Sequence, residues 1–188
     1  MKIKIGVSAC MIGQDCNFNG KSLLSEFIKN LAVVAPLEFI KFCPEDSVFG
    51  TPRENLRIVG GDGYDVLDGK AHVITESGKN VTHQQITGAQ KFLSVLQEAK
   101  VNHAILMEGS PSCGSNVILK EENWPHGGFK KGVGVACALL RKNGITVLGG
   151  FDERSICDFV KSIDSSFSIE GNRLDLKEMP KFKVLFEA

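Results

Sequence analysis

The chain has 188 residues, which is the length of one ordinary domain or of one domain with an appendage. Hydrophobic residues make up 43% of it and charged residues 23%, so disorder is excluded as the dominant state. Lysine plus arginine and aspartate plus glutamate each number 22, so the formal net charge is zero. A protein that works on nucleic acid normally carries a basic excess, and we therefore expect no nucleic-acid polymer as the main partner.

The apolar segments bear on the location of the protein. No apolar run reaches the roughly 18 residues that span a bilayer. Residues 7–10 (VSAC) resemble a lipoprotein cleavage box, but the apolar stretch before them is short and contains Lys4. A signal peptide needs an apolar core of about 7–15 residues. We therefore expect a cytoplasmic protein with no membrane partner.

Hydrophobic periodicity predicts strands and helices that alternate along the chain. In chain order the predicted elements are a strand at 2–8, a helix at 22–33 capped by Ser22, a strand at 37–42, a helix that starts at 51–54, an edge strand at 71–75, a helix at 82–99, a strand at 103–107, a helix at 132–142 and a strand at 145–148. This alternation predicts an α/β fold, Rossmann-like, with a mainly parallel sheet and helices on both faces.

The last part of the chain departs from this pattern. Residues 151–188 predict only a helix at 155–163 and a strand at 183–186. We therefore expect one α/β domain at 1–150 and a small C-terminal appendage at 151–188 that packs on the same core.

The six cysteines carry the strongest chemical signal. In a reducing cytoplasm they are core residues, nucleophiles or metal ligands rather than a disulfide framework. Cys10, Cys43 and Cys113 each follow a predicted strand. The carboxyl ends of parallel strands lie along one edge of a sheet, where ligands bind, so these three thiols should converge. Cys137 and Cys157 fall inside predicted helices and are expected to be buried small hydrophobes.

Three convergent thiols fit several kinds of site. A structural zinc site and a dithiol redox site both favour a C-x-x-C pair, which this sequence lacks. An iron–sulfur cluster takes cysteine thiolates that need not lie close together in sequence. Three thiolates on a four-iron cluster would leave one iron open to a substrate, whereas Cys16, in the first loop, could close the site as a fourth ligand.

Polar residues accompany two of these cysteines. Glu45 lies two residues after Cys43, and Ser110 lies three residues before Cys113. A carboxylate near a metal can act as a general base on a water, and a hydroxyl can orient that water. The same residues equally fit structural roles, in which Glu45 caps a helix and Ser110 closes a loop turn.

Two other polar residues are weaker candidates. Arg53 could hold an anionic substrate, but a solvated arginine at a helix start is the interpretation that we favour. Among the histidines, only His126, in the Gly-rich loop at 125–128, is a candidate site residue.

Several short motifs together resemble a known family. In chain order they are VSACMIG at 7–13, CPE at 43–45, TPR at 51–53, SPSCG at 110–114 and GVGV at 132–135. The set resembles a bacterial family long described as a domain of unknown function, whose characterised members are thiouracil desulfidases. The resemblance covers roughly residues 3–150, and the CPE and SPSCG motifs are specific in combination.

The resemblance implies a cofactor, a reaction and a set of site residues. The implied cofactor is a 4Fe–4S cluster held by only three cysteines, here Cys10, Cys43 and Cys113, so that the free iron takes the sulfur of a thiolated pyrimidine base. Glu45 and Ser110 would be catalytic and would handle the water that replaces the sulfur. The implied enzyme is a non-redox, hydrolytic desulfidase whose partner is a small thio-compound.

Two other functions stay open on the residues alone. One is a non-catalytic iron–sulfur protein, a sensor or a sulfur carrier, with Cys16 as the fourth ligand. The other is a zinc-binding or metal-free module that binds a small molecule on the same fold.

Overall fold

The strands and helices alternate much as the periodicity predicts. The computed structural model of the protein describes residues 2–122, 128–169 and 172–187. Its strands are β1 (Ile3–Ser8), β2 (Leu37–Phe42), β3 (Leu56–Val59), β4 (His72–Thr75), β5 (His103–Leu106), β6 (Val117–Leu119), β7 (Phe129–Lys131) and β8 (Thr146–Gly149). Its helices are α1 (Glu26–Val34), α2 (Asp46–Phe49), α3 (Gly63–Leu67), α4 (Thr82–Glu98), α5 (Val135–Lys142), α6 (Glu153–Ile163) and α7 (Pro180–Lys183), with short 3₁₀ helices at Ala9–Ile12 and Leu176–Glu178.

The central sheet contains four strands in the order β2-β1-β5-β8. Each neighbouring pair is parallel, as Ile5 opposite Phe39 and Ile105 opposite Leu148 illustrate. In chain order, β2 is added on one side of β1, and β5 and then β8 are added on the other side. The strand order therefore reverses between β1 and β5, and ligands in open α/β sheets bind outside the carboxyl ends of the strands at such a point.

Helices cover both faces of this sheet. Successive residues of a strand point to opposite faces. Ala104 and Leu106 of β5 belong to the apolar core that contains α4 and α5, whereas Ile105 belongs to the core that contains α1 and α6. Gly6 of β1 lets α4 approach the sheet, because a Cβ at that position would lie 2.8 Å from Leu96 Cδ2. The predicted α/β class with a mainly parallel sheet is confirmed.

Three local predictions are wrong. The helix predicted at 22–33 begins at Glu26 instead, where the Ser25 hydroxyl accepts a hydrogen bond from the Ile28 N–H at 3.3 Å. Residues 51–54 start no helix, and the chain runs on into β3. The strand predicted at 183–186 is the end of α7 followed by a turn. In each case a local pattern competes with the packing of neighbouring elements, which decides the outcome.

The strand predicted near 71–75 is present as β4, but it lies outside the central sheet. It pairs antiparallel with β3 in a separate two-stranded sheet. A second two-stranded sheet contains β6 and β7, which periodicity did not reveal because each has only three residues. This β6–β7 hairpin lies between β5 and α5 in the chain and contributes to the cavity described below.

Residues after 150 pack against the remainder of the protein at two places. In α6, Ile156 and Val160 are fully buried in the core that contains α1. Phe182 of α7 is also fully buried, with its ring 4.9 Å from the Phe129 ring in an edge-to-face arrangement. No helix in the described residues has both the length and the apolar character needed to cross a membrane.

Candidate active site

A cavity of about 310 Å³ opens at the carboxyl ends of β1, β2 and β5. Its lining includes the thiol-bearing residues Cys10, Cys16, Cys43 and Cys113, together with Glu45 and Ser110. The structure thus brings the three strand-end cysteines of the sequence analysis to one place, with the carboxylate and the hydroxyl that accompany them. Their roles are a separate matter, which the proposal below takes up.

Cys10 is held by the turn that follows β1. The strand continues directly into the 3₁₀ helix Ala9–Ile12, which ends at Gly13 in the left-handed region at φ 93°. The Leu23 N–H donates to the Cys10 carbonyl at 2.9 Å, so that the next segment of the chain is tied to the same turn. Cys10 is 8% exposed and Cys16 is 1% exposed, so both thiols face the protein interior and the cavity rather than the outer surface.

Cys43 lies where β2 passes through Cys-Pro-Glu into α2. The Asp46 N–H at the start of α2 donates to Cys43 Sγ at 3.4 Å. Helix α4 passes directly over this segment at Gly88, where a Cβ would lie 2.4 Å from the Pro44 carbonyl oxygen. A side chain at position 88 would therefore displace the loop that carries Cys43 and Glu45.

Cys113 belongs to a tight loop after β5. The Ser110 hydroxyl accepts hydrogen bonds from the Ser112 and Cys113 N–H groups, each at 3.1 Å. The Ser112 carbonyl accepts from the Ala136 N–H at 2.9 Å, which joins the loop to the first turn of α5. A Cβ at Gly134 would lie 2.3 Å from that carbonyl oxygen, so glycine is required for this approach.

Glu108, which the sequence analysis missed, holds the end of the same loop by hydrogen bonds to its carboxylate. Its carboxylate is 3% exposed and accepts hydrogen bonds from the N–H groups of Ser115, Asn116 and Val117 at 3.0, 3.1 and 3.2 Å. The Asn116 side-chain amide at 2.8 Å and the Ser115 hydroxyl donate as well. Five donors replace the water that burial removes, which makes the buried charge tolerable. The sequence signal was an acidic residue directly after a buried strand and before a glycine.

Glu45 and Arg53 form a buried ion pair at the cavity. Arg53 donates to Glu45 Oε2 from Nη2 at 2.8 Å and from Nε at 3.1 Å, and the Arg53 side chain is only 6% exposed. Its Nη1 also donates to the Cys16 carbonyl at 3.1 Å. The expectation of a solvated arginine is therefore wrong, because the segment that was expected to start a helix instead turns this side chain inward.

Ser110 contacts the other oxygen of the same carboxylate. Its hydroxyl donates to Glu45 Oε1 at 3.3 Å. Ser110 thus closes its loop turn and also contacts Glu45, so the structural and the functional interpretations are both compatible with its position. Glu45 precedes α2, but its side chain makes no capping hydrogen bond, so helix capping does not account for its placement.

Three thiols of the cavity, those of Cys16, Cys43 and Cys113, have raised pKa values. The pKa of Cys43 is raised by its contact with the Cys16 thiol, by burial and by the nearby Glu45 carboxylate. Burial raises the pKa of Cys113, and the Ser8 hydroxyl partly opposes this effect by donating to the Cys113 sulfur. Contact with the Cys10 thiol is the main cause that raises the pKa of Cys16 to about 12. A bound cation favours thiolates, so these sulfur atoms gain from a metal centre.

The β6–β7 pair and α7 add apolar residues and one lysine to the cavity lining. Leu119 of β6 and Phe129 of β7 line it together with Lys181 of α7. The Lys181 ammonium lies 4.3 Å from the centroid of the Phe151 ring and 4.7 Å from that of Phe182. Burial lowers the pKa of Lys181, and the Glu108 carboxylate opposes this shift.

The two remaining cysteines that the sequence analysis placed in helices lie outside the cavity. Cys137 on α5 and Cys157 on α6 are buried at 0% and 4% exposure and do not line the cavity, as predicted for core cysteines. His126 falls outside the described residues.

The donor set of the cavity has the chemistry of an iron–sulfur cluster. In the part of the chain that the structure describes, no three His, Cys, Asp or Glu residues are placed to hold one metal ion together. The cysteine thiolates of an iron–sulfur cluster each bind a separate iron and so need not meet at one point. Buried cysteines distributed around one cavity therefore fit a cluster in their chemistry.

Comparison with known proteins adds a family and two relatives. A family model described as 2-thiouracil desulfurase matches residues 5–150. The uncharacterized protein YbbK of Bacillus subtilis (strain 168) is 42% identical over 144 residues, which is 76% of this chain and 92% of YbbK. The solved structure of the [4Fe-4S]-dependent thiouracil desulfidase TudS is similar with a TM-score of 0.68 and 34% identity, over 86% of this chain and 99% of that one.

Proposed function

The chain belongs to the 2-thiouracil desulfurase family, and on this premise we propose that it is a [4Fe–4S]-dependent enzyme that removes sulfur from a thiolated pyrimidine base or a similar small thio-compound by hydrolysis. The family and the similarity to TudS support a desulfidase. The observation that carries the proposal is the cavity in which three strand-end cysteines face a carboxylate paired with a hydroxyl.

Cys10, Cys43 and Cys113 would hold the cluster. When bound, a four-iron cluster with three protein thiolates supplies an iron with an open position, which acts as a Lewis acid toward the substrate sulfur. Sulfur is a soft ligand that iron accepts readily, whereas an oxygen substituent of the same ring competes less well. Cys16 stays outside this ligand set.

Glu45 and Ser110 would handle the water. Arg53 occupies Glu45 Oε2 through two hydrogen bonds, which leaves Oε1 directed toward Ser110. The 3.3 Å contact between Ser110 Oγ and Oε1 is longer than the usual O–H···O distance of about 2.5–3.0 Å, so a water can take its place at little cost. In the proposal, Oε1 accepts a proton from this water while Ser110 orients it.

The overall reaction balances without an electron donor. The water oxygen bonds to the ring carbon as the C=S bond breaks, and the sulfur leaves as hydrogen sulfide with both protons of the water. No atom changes its oxidation state in this reaction, so the proposed reaction is hydrolytic and non-redox.

The cavity also bears on the size of the substrate. The cavity volume of about 310 Å³ has to hold the proposed cluster as well as the substrate, and it already lies at the lower end of the roughly 300–1,000 Å³ that small-molecule sites occupy. Leu119 and Phe129 offer apolar surface to a planar ring. We therefore favour a free base or a small derivative over a nucleic-acid polymer.

Two further proposals follow from the cysteines and from the family match. Six free cysteines suit a reducing compartment, so we place the protein in the cytoplasm. The family model ends at residue 150, so we propose residues 1–150 as the desulfidase domain and residues 151–188 as an extension packed on it.

The test is an iron and sulfide analysis of protein purified without oxygen, followed by a sulfide-release assay with 2-thiouracil. We expect about four irons per chain and equal amounts of sulfide and uracil as products. Cys10→Ser, Cys43→Ser and Cys113→Ser should each lose the visible chromophore and the activity. Cys157→Ser is the matched control, because it removes a buried thiol outside the cavity. Protein that takes up no iron even after reconstitution contradicts the proposal.

A non-catalytic iron–sulfur protein is the second candidate, because Cys16 lies on the same cavity as a fourth thiol. This candidate requires Cys16 as a ligand, so Cys16→Ser should then change the visible spectrum and the iron content. A Cys16→Ser protein that keeps its iron and still releases sulfide supports the desulfidase with three protein ligands.

A further inference from the structure

Ser112 presents a buried hydroxyl that has no hydrogen-bond partner in the described residues. The residue is 1% exposed and lines the cavity between Ser110 and Cys113. Its Oγ contacts no donor or acceptor within reach in the part of the chain that the structure describes. A buried hydroxyl without a partner costs about 1–3 kcal/mol, so a serine at this position calls for an explanation.

The backbone of Ser112 cannot turn to relieve this cost. Its N–H donates to the Ser110 hydroxyl at 3.1 Å, and its carbonyl accepts from the Ala136 and Cys137 N–H groups at 2.9 and 3.2 Å. Both main-chain polar groups of Ser112 are therefore engaged. Its side-chain hydroxyl has no partner among the described residues, so it can pair with a molecule bound in the cavity beside Cys113.

The neighbouring serines are already engaged. Ser110 accepts two backbone hydrogen bonds and contacts Glu45. Ser8 accepts from the Met107 N–H at 3.0 Å and interacts with the Cys113 thiol. Ser112 is thus the hydroxyl of this loop that remains available for an added acceptor.

We propose that the Ser112 hydroxyl donates a hydrogen bond to a sulfur atom of the bound cluster and thereby positions the cluster and makes its open iron a stronger Lewis acid. The inference rests on the proposed function, because it requires a cluster at Cys10, Cys43 and Cys113. A sulfur acceptor suits the site, since Ser112 is adjacent in the chain to the proposed ligand Cys113, lines the same cavity and is 1% exposed. Hydrogen bonds to cluster sulfurs stabilise the more negative, reduced state and so raise the reduction potential.

The test compares wild-type protein with Ser112→Ala, with Ser112→Thr as the variant that keeps a hydroxyl and with Ser94→Ala as a control on the exposed face of α4. Three quantities are measured: the thermal midpoint of the cluster-free protein, the reduction potential of the reconstituted cluster, and the rate of sulfide release from 2-thiouracil. Iron content is measured for every sample.

For Ser112→Ala we expect a cluster-free protein at least as stable as wild type, because the substitution removes an unpaired hydroxyl. With the cluster bound, we expect a more negative potential and sulfide release slower by about tenfold, the size of one hydrogen bond to a charged acceptor. Ser112→Thr should restore both values, and Ser94→Ala should match wild type. Solvent deuterium should shift the iron–sulfur stretching bands further in wild type than in Ser112→Ala, or than in Ser112→Gly where the alanine variant does not fold, because the other donors to sulfur, such as the Asp46 N–H, are the same in all of them.

The outcomes separate this inference from the proposed function. If Ser112→Ala binds iron and keeps the wild-type potential and rate, the inference is wrong and the proposed function stands. If the rate falls but the potential does not change, the hydroxyl serves the substrate or the water, and the assignment to a cluster sulfur is wrong. If wild-type protein takes up no iron, the proposed function itself fails.

Discussion

The cavity has two walls of different origin. The sheet-edge wall consists of Cys10, Cys43, Glu45, Ser110 and Cys113, all of which follow strands of the central sheet. The outer wall consists of Leu119, Phe129 and Lys181, which come from the β6–β7 hairpin and from α7.

The two walls are also held in different ways. Main-chain and carboxylate hydrogen bonds fix the sheet-edge wall, such as those that Ser110 accepts from its own loop. Ring packing holds the outer wall, where Phe182 of α7 contacts Phe129. The family match ends at residue 150, so it includes the whole sheet-edge wall but not Lys181. The sheet-edge wall thus carries the groups of the proposed chemistry, whereas the outer wall offers apolar surface and one ammonium group to a ligand.

The largest loss of activity is expected from a change in the sheet-edge wall that leaves every thiol in place. Glu45→Gln should keep the iron content and lower the rate of sulfide release by about 10²- to 10⁴-fold, because the amide cannot accept the proton. The measurement is steady-state turnover alongside iron analysis. Glu54→Gln, which changes an exposed carboxylate, should have the wild-type rate. A Glu45→Gln enzyme with full activity would remove the proposed base, and loss of iron would assign Glu45 a structural role instead.

The second change tests how the sheet-edge wall is supported. Glu108→Gln should lower the free energy of unfolding of the cluster-free protein by about 3 kcal/mol, because an amide NH₂ cannot accept the hydrogen bonds that the carboxylate receives from buried N–H groups. Urea denaturation measures this difference. Glu98→Gln, at an exposed position near the end of α4, should change it by less than about 0.5 kcal/mol. Equal stabilities of the two variants would show that the Glu108 hydrogen bonds do not hold the loop.

The smallest expected effect lies on the outer wall. Lys181→Met should raise KM for 2-thiouracil a few-fold and leave kcat and iron content unchanged, because a group that contacts substrate away from the reacting atoms contributes equally to ground-state and transition-state binding. Lys183→Met, two residues further along α7 and exposed, is the control and should leave both constants at wild-type values. A fall in kcat for Lys181→Met would place this lysine in the chemistry and end the contrast between the walls.

Much of the sheet-edge wall could be predicted because a short-range pattern determines it. Apolar runs define the strands, the residue after each run is at the carboxyl edge, and the edge of a parallel sheet brings these positions together. The convergence of Cys10, Cys43 and Cys113 follows from this rule alone. The parallel sheet itself follows from the alternation of strands and helices, which is also a local property of the sequence.

The residues that the sequence analysis missed or misjudged depend on contacts that no helix or strand period indicates. Arg53 is buried because its segment turns inward toward Glu45, a partner eight residues away that no periodic pattern indicates. The Glu108 carboxylate accepts hydrogen bonds from the N–H groups of Ser115 and Val117, in a loop that folds back on it. The strand predicted at 183–186 is a turn after α7, because Phe182 is drawn into the core with Val117 and Leu176.

The sequence by itself therefore determined the fold class, the positions of the three strand-end cysteines and the carboxylate and hydroxyl near them. Only the tertiary structure decided that Arg53 holds Glu45, that Glu108 supports the Cys113 loop, that Ser112 is left without a partner and that Lys181 reaches the cavity. Strand and helix patterns follow from a regular spacing of residues along the chain, whereas the burial of a charge or a hydroxyl depends on how irregular loops fold around it, which no such spacing describes.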